Sequence, residues 1–252
     1  MSELLSALRS GFGFLTTIPV GITKEGVEKL MKHIYFFPVV GAVIGIILAL
    51  IGFASSALFP PMVTSFVVIT AIYFLTGFNH IDGLADFGDG IAAHGTREKK
   101  VRAMRDIAVG TGGVVFCIIA ILGIFSSLFS ILESSAVVFT LALVVAETSA
   151  KQSMVTVAAF GRKIHEGFGS MTVDNTKLSD FVIGMVFSAV VCFVFLGVPG
   201  LESLIVAQVA ALLVLNTANR HFGGVSGDVM GASNEIGRLA CLLFIAGVLW
   251  MQ

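Results

Sequence analysis

The chain has 252 residues, 56% of them hydrophobic and only 12% charged, with a formal net charge of −1 and a mean hydropathy of +0.99. Soluble domains carry about twice that share of charged residues. Too little polar surface is available to cover a core in water, so lipid must solvate most of the exterior. The near-neutral balance also excludes the basic footprint of a nucleic-acid-binding protein.

In chain order, residues 1–20 (MSELLSALRSGFGFLTTIPV) do not read as a signal peptide, because Glu3 and Arg9 interrupt the apolar run and no small-residue cleavage site follows. Residues 1–33 read instead as an amphipathic or re-entrant segment at the interface. Crossing the hydrocarbon takes about 20 apolar residues in a helix. The segments 34–58, 61–78, 108–132, 136–158, 181–198, 203–218 and 237–251 are the candidates. The expected fold is therefore an all-α, multi-pass membrane bundle of about seven spans, forming one catalytic domain over 1–252. No alternation suggests a β-barrel. Cys117, Cys192 and Cys241 each sit in an apolar span without metal or disulfide spacing and read as small buried hydrophobes.

With these spans, residues 1–33, 79–107, 159–180 and 219–236 fall on one side, and short turns fall on the other. Arg9, Lys24, Lys29, Lys32, Arg97, Lys99, Lys100, Arg102, Arg105, Arg162, Lys163, Lys177 and Arg220 all lie on the first side. Arg238 is read at that same face, at the start of the last span. Lys151 alone lies inside a span, four residues after Glu147. The positive-inside rule makes the charged side cytoplasmic.

The stretch NHIDGLADFGDG (79–90) places Asp82, Asp86 and Asp89 at i, i+4 and i+7 among small and apolar neighbours. On a helix they share one face, where like charges repel. A divalent cation resolves that conflict, and Mg²⁺ is commonly held by one or two carboxylates plus substrate phosphates. A solvated acidic loop would need neither the helical spacing nor the small neighbours. His80, two residues before Asp82, is open between a base or phosphate donor and a structural histidine; His33, His94 and His165 have no such context.

Downstream, REKKVRAMRDIAVGTGG (97–113) sets Arg105 and Asp106 before Gly110, Gly112 and Gly113. Lys99 and Lys100 read as a positive-inside anchor, whereas arginine beside glycines suits phosphate oxygens and close backbone approach. NRHFGGVSGDVMGASNE (219–235) presents Arg220, His221, Asp228 and Glu235, the two acids seven apart. Glu147 and Lys151 read as a buried pair, or as functional groups in the membrane.

Taken together, NHIDGLADFGDG, MRDIAVGTGG and RHFGGVSGDVMGASNE, with GFLTTIPV and FFPVVGAVIG nearer the start, resemble the cobalamin synthases (adenosylcobinamide-GDP ribazoletransferases) over nearly the whole chain. The sequence departs from that pattern in the Phe-Gly after Asp86 and in Ile107–Ala108 after MRD. The resemblance implies a Mg²⁺-dependent transfer at the cell membrane, with the active site facing the cytoplasm. α-Ribazole, or its 5′-phosphate, would attack the cobinamide-linked phosphate of adenosylcobinamide-GDP, releasing GMP. It implies metal roles for Asp82, Asp86 and Asp89, and catalytic roles for His80, Asp82 and Asp106. Substrate contacts would fall to Asn79, Arg105, Arg220, His221, Asp228 and Glu235. The partners would be the two small substrates and membrane lipid, without nucleic acid, and a homo-oligomer is compatible with this reading.

DGLAD also partly resembles the CDP-alcohol phosphotransferases, but Asp86 stands where that signature has arginine and the later spacing is too short. An ion or metal transporter is the alternative of a different class. It would place its charges near the midplane.

Overall fold

A computed structural model describes residues 2–164 and 167–251; His165 lies outside the described residues. The elements are helical: α1 (Glu3–Leu15), α2 (Lys24–Met31), α3 (Phe36–Ser56), α4 (Pro61–Thr76), α5 (Asn79–Ala92), α6 (Arg97–Met104), α7 (Thr111–Ser134), α8 (Ala136–Phe160), α9 (Phe168–Asn175), α10 (Leu178–His221) and α11 (Gly227–Trp250). Among the described residues the extended pairing is a single isolated bridge, Lys163 with Val225. The fold is an all-α membrane bundle, as the composition demands.

Length and composition alone do not confirm the count of seven spans. α3, α7, α10 and α11 are long and apolar enough to cross a membrane, giving 4 such helices, or 5 if α4 and α5 form one span broken by a 93° bend. α4 has only 16 residues, about 24 Å of helix. α5 has 14 residues and three aspartates, so we read it as a re-entrant arm at the mouth of the bundle and not as a span. The predicted spans 181–198 and 203–218 are the two halves of α10. Its helical geometry breaks at Gly197 (φ 61°), and Pro199 follows. A Cβ on Gly200 would strike the carbonyl of Cys192. Residues eight apart in a straight helix stand about 12 Å apart, so the chain turns back here as a hairpin.

α8 covers the predicted segment 136–158 and is the informative case. It has 25 residues but is not among the helices apolar enough to cross. It is buried without interruption from Ala142 to Ala158, including Glu147, Thr148, Ser149, Lys151, Gln152, Ser153 and Thr156. α3, α10 and α11 pack around it. Its polar groups face protein, where partners can satisfy them, and lipid sees its neighbours. α3 lies directly on α8: a Cβ at Gly41 would stand 2.6 Å from the Glu147 carbonyl, and one at Gly45 2.5 Å from the Val144 Cα. Such small-residue faces let helices associate in lipid through close van der Waals contact.

The N-terminal segment is amphipathic, as expected. α1 buries Ala7, Ser10, Gly11 and Leu15 and exposes Glu3, Leu4 and Leu5. The Ser2 side chain caps α1, and that of Thr23 caps α2. Thr17 Oγ1 donates to the Phe74 carbonyl (2.8 Å), tying this segment to the end of α4.

The polar connections gather at one end of the bundle. Val225 N donates to Arg162 O (2.6 Å), and Ile164 N donates to Val225 O (3.2 Å). Lys100 Nζ stands 2.9 Å from His221 Nδ1. The end where three of the four charged segments meet is also where α5, α7 and α11 begin.

Candidate active site

Asp82 lies in the first turn of α5 and Asp228 in the first turn of α11, where the helix macrodipole favours negative charge. Ser226 caps α11, accepting from Val229 N, and its hydroxyl also donates to Asp228 Oδ2 (3.1 Å). The two helices nearly touch: a Cβ on Gly83 would stand 3.0 Å from both the Cα and the carbonyl oxygen of Asp228. Glycine at 83 therefore sets how closely the carboxylates of α5 and α11 approach.

Asp82, Asp86 and Asp228 open onto one cavity of about 480 Å³, whose wall continues through Arg105, Asp106 and the fully exposed Ile107. Asp106 Oδ1 accepts from Ala108 N (3.2 Å), holding the α6–α7 loop in shape. The structure thus brings together Asp82, Asp86, Arg105, Asp106 and Asp228 from three separate segments. Asp86 is partly buried, and its carboxyl is pushed up to about 7, first by desolvation and then by Asp228, Asp82 and Asp89. Among the described residues, no three His, Cys, Asp or Glu groups are placed to hold a metal as they stand.

Asp89 behaves differently from the other two aspartates. Its carboxylate accepts from Gly110 N (2.7 Å) and Gly113 N (2.8 Å), capping the start of α7, whose first amides have no intrahelical partner. A Cβ on Gly113 would stand 2.8 Å from Asp89 Oδ2. The glycines after MRD, read from sequence as a place for substrate phosphate, instead make room for Asp89. Two backbone N–H groups of this stretch thus point at one carboxylate of the chain itself.

Asn79 and His80 line a second cavity of about 430 Å³, which shares Asp82 and Asp228 with the first. His80 is 7% exposed, and its Nδ1 has no hydrogen-bond partner.

Three residues expected at the site lie elsewhere. Arg220 is exposed, His221 pairs with Lys100, and neither lines the two cavities. Glu235 is fully buried in a polar core within the bundle. Arg238, expected at the charged face, is buried with it. Arg238 forks onto Glu147, binding both carboxylate oxygens, and reaches Glu235 Oε1 at 2.6 Å. Lys151 Nζ donates to Asn234 Oδ1 (2.7 Å) and stands 3.6 Å from Glu147 Oε2. Asn234 Nδ2 donates to Glu235 Oε1 (2.9 Å), and the Tyr73 hydroxyl donates to Glu235 Oε2 (3.3 Å). The spacing of Glu147 and Lys151 signalled part of this network. One helical turn separates Glu235 from Arg238 as well, a second signal of the same kind.

The model of the cobalamin-5-phosphate synthase family matches residues 7–246. A relative from Methanosarcina barkeri, named adenosylcobinamide-GDP ribazoletransferase, is 44% identical, with 100% of this chain and 95% of its own length aligned. Relatives of the same name from Methanosarcina mazei (44% identical, 98% and 93% covered) and Halorubrum lacusprofundi (36%, 95% and 96% covered) extend the agreement. No solved structure matches the chain. With the family model spanning nearly its whole length, the chain belongs to the cobalamin-5-phosphate synthase family.

Proposed function

We propose that this protein is an adenosylcobinamide-GDP ribazoletransferase: it joins adenosylcobinamide-GDP to α-ribazole, or to its 5′-phosphate, and releases GMP. Beside the family membership, the observation that carries the reading is the cavity where Asp82, Asp86 and Asp228 meet Arg105 at the charged end of the bundle. A diphosphate presents negative charge that must be neutralised, and its leaving group must be stabilised. The donor set suits a hard cation, being oxygen-only and crowded enough to push Asp86 up to about 7. Asp82 and Asp86, with Asp228 taking the place predicted for Asp89, would hold Mg²⁺ by one or two carboxylates, the remaining positions being filled by water and phosphate. Bound there, Mg²⁺ would supply charge neutralisation and Lewis-acid polarisation of the phosphoryl oxygens.

The chain's own residues then divide the work. Arg105 offers a planar, permanently charged fork to phosphate oxygens. Asp106 shapes the loop that carries Arg105, and Asp89 fixes the start of α7 against α5. His80 is the base candidate for the attacking hydroxyl, with an aspartate of the cluster as the other. This surface faces the cytoplasm of a cell membrane, on the strength of the one-sided Lys and Arg distribution. The transporter reading loses ground because Glu147, Lys151, Glu235 and Arg238, the charges deep in the bundle, neutralise one another.

The test is purified protein in lipid nanodiscs with adenosylcobinamide-GDP, α-ribazole and Mg²⁺, following GMP. Release dependent on all three is expected. No GMP, together with cation flux in liposomes, overturns the reading.

A further inference from the structure

The cavity beyond Asp82 and Asp228 differs chemically from the acidic one. Its wall takes Phe14 from α1, Ile22 from the loop before α2, Met154 from α8 and Met230 from α11. Its polar groups gather where it meets Asp82 and Asp228, with Asn79 and His80 beside them, and Thr172 contributes from α9. Among the described residues, none that lines it is Lys or Arg, whereas the acidic cavity has Arg105. At about 430 Å³ it lies within the range that holds a small organic ligand.

We propose that this cavity is the acceptor subsite: it takes the apolar heteroaromatic base of the attacking riboside, with Asn79 and His80 at its polar end beside the ribose. The proposal rests on the transferase reading above and assigns one of its two substrates a place. Three observations carry it. A phosphate-rich ligand finds no cation in this wall and two carboxylates at its edge, so the donor's diphosphate belongs with Arg105. Four apolar side chains suit a base without exocyclic hydrogen-bonding groups, unlike guanine, whose polar edge would be buried unpaired. His80 lines the cavity, and its Nδ1 is a buried polar atom with no partner, a cost relieved when a turn of the ring brings it to a ligand hydroxyl.

The arrangement also suits the reaction's geometry. In phosphoryl transfer the attacking and leaving oxygens lie roughly in line on opposite sides of phosphorus. Two cavities that share Asp82 and Asp228 would accommodate the two oxygens from separate spaces. The ribose oxygen enters from the apolar cavity and forms the new O–P bond. The bond from phosphorus to the bridging oxygen breaks toward Arg105, and GMP leaves with that oxygen. The hydroxyl proton passes to a base at the junction of the cavities.

Gly227 gives a clean test. It lines the cavity, its φ is not positive, and a Cβ there meets nothing within 4 Å. Gly227→Phe should therefore fill the space without displacing backbone. Expected results are a rise of at least 10-fold in KM for α-ribazole, with KM for adenosylcobinamide-GDP within about 2-fold of the parent. Equilibrium dialysis of α-ribazole alone, without donor or Mg²⁺, should show the same loss of affinity. Ile22→Ala, at a position 51% exposed and so without a core role, should weaken α-ribazole binding several-fold and keeps the test usable if the phenylalanine variant misfolds. Parent protein that turns over while both variants keep the parental KM and binding overturns the subsite and leaves the transferase standing. A rise in donor KM alone assigns the cavity to the nucleotide and likewise overturns it. Parent protein that binds α-ribazole but releases no GMP defeats the transferase reading, not the subsite.

Discussion

Arg238→Met removes one charge from the polar core and keeps the shape of the side chain nearly intact. Two negative charges, Glu147 and Glu235, and two positive ones, Lys151 and Arg238, balance there at no more than 1% exposure. Methionine leaves one carboxylate without its counter-charge and takes away three hydrogen bonds, two to Glu147 and one to Glu235. Breaking a buried ion pair by removing one partner costs about 3–5 kcal/mol. For a chain of this size that lowers the melting temperature by roughly 10 °C. Arg238→Met with Glu235→Gln restores the balance of one positive and one negative charge. The glutamine can still meet Asn234 and Tyr73. The double variant should recover at least about 2 kcal/mol of the single-variant loss, as coupled neighbours do. Thermal unfolding in detergent, followed by dye labelling of the buried Cys192 and Cys241, measures both. A single variant melting within 2–3 °C of the parent, or a double variant at the sum of the two single losses, would refute the account.

Asp86→Asn should abolish transfer and yet raise the melting temperature of metal-free protein above pH 7. A carboxyl pushed up from 3.8 to about 7 in the folded state makes the ionised form a burden, so parental stability falls as pH rises from about 4 and levels off above about 7. The gain should vanish below about pH 4, where folded and unfolded parent are both protonated, and stay on the order of 1 kcal/mol because Asp86 is only partly buried. Asp89→Ala should cost about 1–2 kcal/mol through loss of the α7 cap and lower kcat with little change in Mg²⁺ dependence, measured by melting and by titration of activity. Arg105→Ala should raise KM for adenosylcobinamide-GDP by about 10-fold or more, while α-ribazole binding by dialysis holds. Gly83→Ala should lower kcat several-fold by pushing α5 from Asp228, and Gly227→Ala should not, which initial-rate measurements on the two variants decide.

Composition alone determined that the chain lives in lipid and is helical, since 12% charge cannot dress a core in water and lipid tolerates no unpaired strand edge. The acidic spacing in 79–90 marked α5, because period and small neighbours are properties of the local sequence. What pairing across the bundle decided was not written there. Asp89 lies on the same helical stretch as Asp86, yet it caps α7, because Gly110 and Gly113 bring bare amides to it from 21 and 24 residues away. Asp228 joined the carboxylates because Gly83 lets α11 lie against α5. Glu235, seven residues further on, turned inward to Arg238. Hydropathy alone leaves the count of spans open for the same reason: α8 carries polar side chains that hydropathy penalises, and only its neighbours show that protein, not lipid, surrounds them. Local spacing sets which face a charge occupies; which partner faces it is a property of the packed helices.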